Sequence, residues 1–335
     1  FKKHHASILW SNRMYYEKSR IYFEPGCTMK GIIYKSTGSW YTVKAEDGSF
    51  YNARLRGKFK NLGLKVTNPL SVGDFVEMNI DPLTPTEALI HAIAPRTNYI
   101  IRRSSHKTAF GHLIACNIDQ SILLVTLKQP KTSIGFIDRF LISCEAFRIP
   151  AVIVFNKSDL YNEELMEEYL YLKDVYTPLG YTCILTSMEK ENGLDELMPL
   201  LYGKTSVISG HSGVGKSTLV NKIFPQLALK TDIISGHSQK GKHTTTFAEM
   251  YDLNADSKVI DTPGIKELGL FEIEDQVLSH YFPEMRKLMG TCKFHNCMHT
   301  NEPGCKVKAA VEAFMIAPSR YESYCSIVFE KDTHR

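Results

Sequence analysis

Two hydrophobic patterns divide the chain. Between Met29 and about Asn98, apolar and polar residues alternate in short segments that Gly, Asp and Pro residues separate. Alternation of this kind is typical of half-buried strands. The predicted strands are Gly31–Lys35, Ser39–Ala45, Ser49–Leu55, Phe75–Ile80 and Ala88–Ile93. Several short strands in one stretch predict a small β-barrel of the OB type.

From about Ala115 the pattern changes to near-continuous apolar runs. Gln120–Thr126 and Ala151–Phe155 are such runs, and Ile134–Phe147 between them has helical spacing. Strands that are apolar on both faces are typical of a parallel sheet covered by helices. We therefore predict a multidomain chain with a central α/β domain. The predicted divisions are an extension at 1–28, the barrel at 29–98, the α/β domain at 99–282 and a mainly helical C-terminal domain at 283–335.

Composition changes this picture little. The chain has 335 residues, of which 43% are hydrophobic, and its formal net charge is +4. No run of 18 apolar residues occurs, and the first residues lack the apolar core of a signal peptide, so we expect a cytoplasmic protein. Because the net charge is small, a nucleic-acid partner can be argued only from local clusters of basic residues.

One such cluster lies on the third predicted strand. Arg54, Arg56, Lys58 and Lys60 alternate with other residues, which places four positive charges on one side of an extended chain. They either keep a strand edge soluble or contact RNA phosphates, with an aromatic side chain available for base stacking. The stacking candidates are Tyr41, Tyr51 and Phe59. A basic connector that favours RNA contains Arg96, Arg102, Arg103, His106 and Lys107.

The stretch Gly210 to Thr218 fits the pattern G-x-x-x-x-G-K-[ST] of a phosphate-binding loop. A strand is predicted before it at Thr205–Ser209 and a helix after it at Leu219–Phe224. Glycines allow the backbone N–H groups to turn toward a polyphosphate at the helix N-terminus. Lys216 is expected to contact the β- and γ-phosphates, and Ser217 to bind Mg²⁺. The candidate nucleotide-binding residues are Gly210, His211, Ser212, Gly213, Val214, Gly215, Lys216, Ser217 and Thr218.

A second motif points to the base. Asn156-Lys157-Ser-Asp159 follows the apolar run Ala151–Phe155, at the edge where ligands meet parallel sheets. The Asp159 carboxylate can accept from both N1–H and the 2-amino group of guanine, whereas adenine presents an acceptor there. Asn156 could bond the other edge of the ring, and the stem of Lys157 could pack against it. Guanine is therefore the predicted base.

Three further segments complete the predicted site. The short strand Cys183–Thr186 leads into Thr186, Ser187 and Met188, whose backbone N–H groups could reach guanine O6, although an ordinary strand exit explains them equally well. Asp261 and Gly264 match D-x-x-G, in which the carboxylate reaches Mg²⁺ through water and the glycine N–H approaches the γ-phosphate. Thr245, within Lys240–Thr246, is the candidate Mg²⁺ ligand from a threonine trio.

The C-terminal domain contains a cluster of cysteine and histidine residues. Three thiolates and one imidazole within a short segment suit a closed tetrahedral Zn²⁺ site, and metal would stabilise a segment too small to fold alone. The candidate ligands are Cys292, Cys297, His299 and Cys305, with His295 as an alternative to His299. The remaining cysteines are expected to be plain apolar residues, namely Cys27, Cys116, Cys144, Cys183 and Cys325.

The guanine-nucleotide elements occur in an unusual order. Asn156–Asp159 and Thr186–Met188 precede the phosphate loop, whereas an ordinary GTPase begins with that loop. Because the site is assembled in space, a chain rejoined at neighbouring termini can still build it, so the order indicates a circular permutation. With a barrel before it and a cysteine cluster behind it, the arrangement resembles the RsgA (YjeQ) family of circularly permuted GTPases. The resemblance runs from about Met29 to the C-terminus and favours His299 over His295.

The resemblance implies a function. Members of this family bind the immature 30S ribosomal subunit, with its 16S rRNA, and hydrolyse GTP when the subunit stimulates them; they then leave. For this chain it implies a monomer that uses GTP/GDP, Mg²⁺ and one Zn²⁺. A metabolic or RNA-modifying enzyme that merely uses a nucleoside triphosphate is the alternative, but no second catalytic constellation is visible.

The residue after D-x-x-G bears on catalysis. It is Ile265, which cannot orient the attacking water as the glutamine of many GTPases does. The nearest candidate is His243, whose neutral imidazole can accept a proton from water, although it is equally well explained as a solvent-exposed loop histidine. Lys216 would still stabilise charge on the phosphates. We therefore expect slow hydrolysis by the isolated protein.

Overall fold

The structure is a computed structural model that describes residues 28–56, 68–103, 111–227, 247–262 and 273–332. It divides into two compact units. The first contains Phe1–Ile118 with Phe247–Tyr251, and the second contains Asp119–Thr246 with Asp252–Arg335. Among the described residues, no helix combines the length and apolar character needed to cross a bilayer.

The first unit is built on a closed five-stranded barrel. Its strands are β1 Thr28–Ser36, β2 Tyr41–Ala45, β3 Phe50–Leu55, β4 Phe75–Ile80 and β5 Glu87–Ile93. β1 pairs with both β2 and β4, β2 pairs with β3, and β5 closes the ring between β3 and β4. At Gly31 a Cβ atom would lie 2.6 Å from the Val43 side chain, so only glycine permits this approach of β1 to β2. The predicted OB-type barrel is confirmed, with every strand boundary shifted by no more than a few residues.

A hairpin extends the first unit. β6 Tyr99–Arg103 pairs with β7 Gly111–Cys116, and the Cys116 N–H donates to Val72 O at 2.8 Å. Arg96, which precedes the hairpin, lies 2.6 Å from the buried carboxylate of Asp74 and is itself mostly buried. Its assignment to an RNA-directed basic connector was wrong, because the guanidinium is used to hold the barrel together. A further short strand, β12 Glu249–Asp252, meets β1 through the pair Lys35 and Glu249.

The second unit contains the predicted α/β sheet. Its strands are β8 Gln120–Val125, β9 Ala151–Phe155, β10 Thr182–Leu185, β11 Thr205–Ser209 and β13 Lys258–Asp261. They are parallel in the spatial order β10-β9-β8-β11-β13. Every residue of β8 and β9 is buried, which explains their unbroken apolar runs. The helices of this layer are α1 Ile134–Phe147, α2 Glu163–Tyr176, α3 Met198–Leu201 and α4 Lys216–Ile223.

The C-terminal part of the second unit is helical, as predicted. It contains α5 Asp275–Leu278, α6 Pro283–Arg286, α7 Lys306–Glu312 and α8 Pro318–Asp332. Phe282, Met285, Val307 and Tyr324 form a core together with Ile142 of α1. These helices therefore pack directly on the sheet layer rather than forming a separate core.

Arg320 of α8 makes a buried ionic contact with the sheet layer. Its side chain is 1% exposed and lies 2.6 Å from Asp138 Oδ1 and 2.7 Å from Glu284 Oε1. The Tyr176 hydroxyl donates to the same Asp138 oxygen at 2.8 Å, and the Phe282 ring lies 4.6 Å from the guanidinium carbon. Since a buried charge is tolerated only with its partners, each of the three ionic groups depends on the other two.

The isolated cysteines behave as expected of apolar residues. Cys116, Cys144 and Cys183 are buried, and Cys325 is half-buried against the C-terminal core. Burial raises the pKa of the Cys183 thiol to about 11, so it stays protonated at neutral pH. Cys27 lies outside the described residues.

Candidate nucleotide and metal sites

The phosphate loop joins β11 to α4 in a conformation that needs glycine. Gly210, Gly213 and Gly215 have φ values of 151°, 84° and 100°. A Cβ atom on Gly210 would lie 2.5 Å from Leu124 O, and one on Gly215 would lie 2.5 Å from Asn156 Nδ2. The loop therefore closes against two neighbouring strand ends, and α4 begins at Lys216, three residues earlier than the sequence pattern predicts.

Lys216 lies on the inner side of the loop. Its Nζ donates to the carbonyl oxygens of Gly210 at 2.7 Å and His211 at 2.9 Å. Burial lowers the pKa of Lys216, and the nearby Asp261 carboxylate opposes this shift. Asp261 is 2% exposed at the end of β13, directly beside Ile208 of β11. The ammonium and the carboxylate thus share the edge of the sheet where a phosphate and its metal would bind, and Ser217 occupies the second position of α4.

Asn156 has a bracing role that the sequence did not predict. It is 1% exposed, its Nδ2 donates to Val214 O of the phosphate loop at 2.8 Å, and its Oδ1 accepts from the Thr186 hydroxyl at 3.1 Å. The amide thereby joins the exits of β9 and β10 to the loop. One hydrogen on Nδ2 and one lone pair on Oδ1 are left over for other partners.

Lys157 connects the same loop to the segment after β8. Its Nζ donates to Gly213 O at 2.9 Å and to Gln129 O. The residue has a φ of 61°, an uncommon value for a side chain of this size. Desolvation lowers the pKa of Lys157, which Asp159 partly offsets. With its ammonium fixed on the loop, the stem of Lys157 has a defined position beside the predicted base.

The predicted base-recognition groups lie together. The Asp159 side chain is exposed, and the Ser187 hydroxyl donates to its Oδ1. The backbone N–H of Thr186 donates to Phe155 O at 2.9 Å and that of Ser187 to Gly193 O at 3.1 Å. The idea that these two N–H groups reach guanine O6 does not fit their geometry, because both already have acceptors. For the N–H of Met188 the contact with guanine O6 stays a prediction.

The phosphate loop makes a further contact that no sequence motif predicts. His211 Nε2 lies 2.7 Å from the hydroxyl of Thr132, and the His211 ring meets Phe136 edge to face. Thr132 precedes α1, and Phe136 lies in the first turn of that helix. Nothing in a single sequence marks such a pair, since no short motif spans residues this far apart.

The four predicted metal ligands come together in the C-terminal segment. The ligand atoms of Cys292, Cys297, His299 and Cys305 all lie within 4.8 Å of one another. His299 Nδ1 is 3.7 Å from Cys292 Sγ and 3.4 Å from Cys305 Sγ. His295 is exposed and does not belong to the group. The donor set of three thiols and one imidazole is the one that a closed Zn²⁺ site uses.

The surroundings of this cluster fit a metal as well. Burial, together with the neighbouring sulfurs of Cys305 and Cys292, raises the pKa of the Cys297 thiol to about 12. A dication between the sulfurs would reverse that effect, because coordination deprotonates a thiol. The N–H of Lys306 donates to Cys292 Sγ at 3.3 Å, and the Tyr321 hydroxyl donates to His299 O at 2.7 Å. Such outer contacts fix the orientation of ligands.

The barrel carries an outward face of alternating cations and aromatic rings. The guanidinium carbon of Arg54 lies 3.6 Å from the Trp40 ring centroid, and Lys44 Nζ lies 5.7 Å from that of Phe50. Arg54 and Phe50 are exposed. We call these four residues, Trp40, Lys44, Phe50 and Arg54, the barrel face. Tyr41 was a wrong choice for base stacking, since it is 2% exposed in the barrel core.

Several predicted residues cannot be placed. His243, Thr245 and Gly264 lie outside the described residues, and so do Lys58, Phe59, Lys60, His106 and Lys107. Tyr51 is half-buried and packs against the barrel core, so its ring is not on the barrel face.

The parallel sheet, the phosphate loop and the guanine motif that precedes it in the chain define a circularly permuted P-loop GTPase. The chain belongs to the RsgA GTPase family: the family model "RsgA GTPase" matches residues 93–271, and "RsgA N-terminal domain" matches residues 30–89.

Known relatives cover nearly the whole chain. Small ribosomal subunit biogenesis GTPase RsgA from Cytophaga hutchinsonii is 90% identical over 92% of this chain and 100% of its own length. The protein of that name from Flavobacterium johnsoniae is 50% identical over 91% of this chain and 94% of its own. Among solved structures, YjeQ from Thermotoga maritima is 35% identical with a TM-score of 0.72, covering 90% of this chain and 98% of that one. YloQ, described as a circularly permuted GTPase, is 30% identical with a TM-score of 0.70, covering 94% and 99%.

Proposed function

We propose that this chain is a GTPase that acts in maturation of the small ribosomal subunit. Its relatives are named for that process. The observation that carries the choice of nucleotide is the exposed Asp159 carboxylate, which accepts a hydrogen bond from the Ser187 hydroxyl. A fixed carboxylate accepts two hydrogen bonds from guanine and meets an acceptor on adenine. GTP and GDP are therefore the proposed ligands.

The phosphate end of the site follows from the same geometry. Lys216 would exchange its loop carbonyl partners for the β- and γ-phosphates, where Gly264 would also donate. Mg²⁺ would be held by Ser217 and Thr245, with Asp261 reaching it through water. The metal would neutralise phosphate charge, and the chain's own residues would orient the nucleotide.

We propose that one structural Zn²⁺ is held by Cys292, Cys297, His299 and Cys305. Four protein ligands leave no open position, so the metal has no catalytic part. The proposed domains are the barrel at 29–98, the GTPase domain at 99–282 and the mainly helical zinc-binding domain from 283 onward.

The proposed partner is the immature 30S subunit with its 16S rRNA. The barrel face supports this choice, because cations and exposed rings suit phosphates and unstacked bases. The protein would bind as a monomer in the cytoplasm and couple GTP hydrolysis to a late maturation step and to its own release.

For catalysis we propose that His243 positions the attacking water once the subunit is bound. A His243→Ala variant should lose most subunit-stimulated hydrolysis and keep its affinity for GTP and for 30S. Undiminished stimulated turnover would eliminate the histidine and assign the role to a ribosomal group.

The function is tested by single-turnover hydrolysis of GTP and ATP, each with and without purified immature 30S subunits. We expect slow hydrolysis of GTP alone, a large rise with 30S, and no comparable reaction of ATP. Hydrolysis that ignores 30S but rises with a small metabolite would reject the proposal.

A further inference from the structure

A short segment after β8 lies against the phosphate loop; we call residues 126–133 the strap. It is closed by its own hydrogen bonds. The Thr132 N–H donates to Thr126 O at 2.8 Å, the Thr126 N–H donates to the Thr132 hydroxyl oxygen at 3.0 Å, and the Thr126 hydroxyl donates to Pro130 O. Thr126 and Thr132 are 0% and 3% exposed. The strap is therefore a fixed support.

The strap contacts the loop on both sides of Ser212. On one side the Thr132 hydroxyl meets His211 Nε2 at 2.7 Å. On the other, a Cβ atom on Gly213 would lie 3.2 Å from Pro130, and Lys157 Nζ bonds both Gln129 O and Gly213 O.

The hydrogen bonds of His211 define its tautomer. Nδ1 lies 3.0 Å from Ser212 O, and a carbonyl oxygen can only accept, so Nδ1 carries the hydrogen. Nε2 of the neutral ring is then an acceptor, and the Thr132 hydroxyl donates to it. That direction agrees with the Thr126 N–H, which donates to the same hydroxyl oxygen. The polar groups form one directed chain from strap to loop.

The electrostatic surroundings keep the ring neutral. Burial lowers the pKa of His211, and so do the cations Lys216 and Lys157, the charged groups that face it. On the strap, Lys131 is exposed and paired with Glu168 at 2.7 Å. In a neutral ring with the hydrogen on Nδ1, Nε2 can accept the Thr132 hydroxyl hydrogen, which a protonated Nε2 could not do.

We propose that Thr132 is a positioning residue for nucleotide binding. Through His211 it fixes the Ser212 peptide, so that the N–H groups of the loop are aligned for the phosphates before the nucleotide arrives. This inference rests on the proposed binding of GTP and GDP at Gly210–Ser217. Alignment in advance raises affinity because less ordering is left to the binding step.

The test compares GDP affinity across substitutions in the strap. Thr132→Val keeps the shape and removes the hydroxyl, and it should weaken GDP binding about five- to tenfold, the effect of one hydrogen bond. Thr132→Ser should restore affinity to within about twofold. The matched control is Thr126→Val, which removes a buried strap hydroxyl that does not contact the loop; it should reduce thermal stability and leave GDP affinity within about twofold.

A spectroscopic measurement separates positioning from general stability. In the unsubstituted protein, nitrogen NMR of the His211 ring should show the Nδ1–H tautomer. In Thr132→Val, Nε2 loses its donor, so the pKa of His211 should rise toward its ordinary value of about 6.5.

Three results would overturn the inference: unchanged GDP affinity in Thr132→Val, equal weakening in Thr126→Val, or an Nε2–H tautomer in the unsubstituted protein. The tautomer can be read even if Thr132→Val fails to fold. Failure of the unsubstituted protein to bind GDP or GTP would instead reject the proposed function, and with it this inference.

Discussion

At the scale of single residues, the proposed nucleotide site depends on two charged side chains, the Asp159 carboxylate for guanine and the Lys216 ammonium for phosphate. Motif spacing was enough to select Asp159 and Lys216, because phosphate and guanine recognition require particular side chains at particular separations. The same spacing could not show that the N–H of Ser187 is bonded to Gly193, or that Asn156 joins Val214 to Thr186. Those partners depend on how loops from different strands meet, and no local pattern encodes that.

The first prediction concerns the base. Asp159→Asn should weaken GTP binding about a hundredfold or more, because two hydrogen bonds to a charged acceptor are lost. It should also favour xanthosine triphosphate, whose 2-oxo group can accept from the new amide. Competition binding with the two nucleotides measures both effects. Asp174→Asn, an equal loss of charge on the exposed side of α2, is the control and should bind GTP normally; a similar loss there would refute base recognition by Asp159.

At the scale of elements, α1 shows what periodicity can and cannot reveal. The apolar spacing predicted its limits, Ile134–Phe147, and the structure has the same limits. Yet Asp138, in the middle of that helix, is fully buried and paired with Arg320. The partners are 182 positions apart in the chain, so the helical pattern around Asp138 does not show that this carboxylate is buried. Long-range charge pairing was the missing information.

Arg320 therefore provides the second prediction. Arg320→Ala should lower the free energy of unfolding by about 3–5 kcal/mol, because it leaves the carboxylates of Asp138 and Glu284 buried without a counter-charge. Arg286→Ala is the matched control: it breaks the half-exposed pair of Arg286 in α6 with Glu145 of α1, the helix that also carries Asp138, and should cost less than about 1 kcal/mol. Urea unfolding measures both. Equal losses of unfolding free energy in the two variants would contradict the claim that burial makes the Arg320 contacts more important.

The same variant has a predicted pH dependence. Burial raises the pKa of Asp138, and the Arg320 charge opposes this. Without the arginine, the folded state binds protons more tightly than the unfolded state, so stability falls as pH rises through that carboxyl's range. The loss of unfolding free energy in Arg320→Ala should therefore become smaller at acidic pH. A loss that does not change with pH would exclude the buried carboxylate as its cause.

The metal-binding segment gives a third prediction at the same scale. Elemental analysis should find one zinc per chain, and Cys297→Ser should lose it with a lower melting temperature, since binding free energy there is folding free energy. Cys325→Ser, a half-buried cysteine outside the cluster, should keep the metal. His295→Ala should keep it and His299→Ala should lose it. The reverse result for the two histidines would exclude the proposed ligand set.

At the scale of the whole molecule, the order of the domains and the class of the central sheet could be predicted from the sequence alone. The RNA-directed surface could be predicted only in part. Counting charges selected Arg54 correctly as an exposed cation but missed Trp40 and Phe50, whose rings accompany the cations on the barrel face. It also chose Arg96, which serves Asp74. Charge density in the sequence does not distinguish a cation used inside the fold from one available to a partner.

The last prediction tests that surface. A double variant, Lys44→Ala with Arg54→Ala, should weaken 30S binding and flatten its dependence on salt. Each phosphate contact adds about 0.7 to 0.9 to the slope of the logarithm of the binding constant against the logarithm of the salt concentration. A further Trp40→Ala change should weaken binding without altering the slope, since stacking releases no counterions.

Lys35→Ala is the matched control on the barrel, because that ammonium is already paired with Glu249 at 2.8 Å. The salt slope of this variant should equal that of the unsubstituted protein. GTP affinity should be unchanged in all of these variants. If the double variant bound 30S with an undiminished salt slope, the barrel face would be an ordinary solvated surface, and the subunit would have to be recognised by another part of the chain.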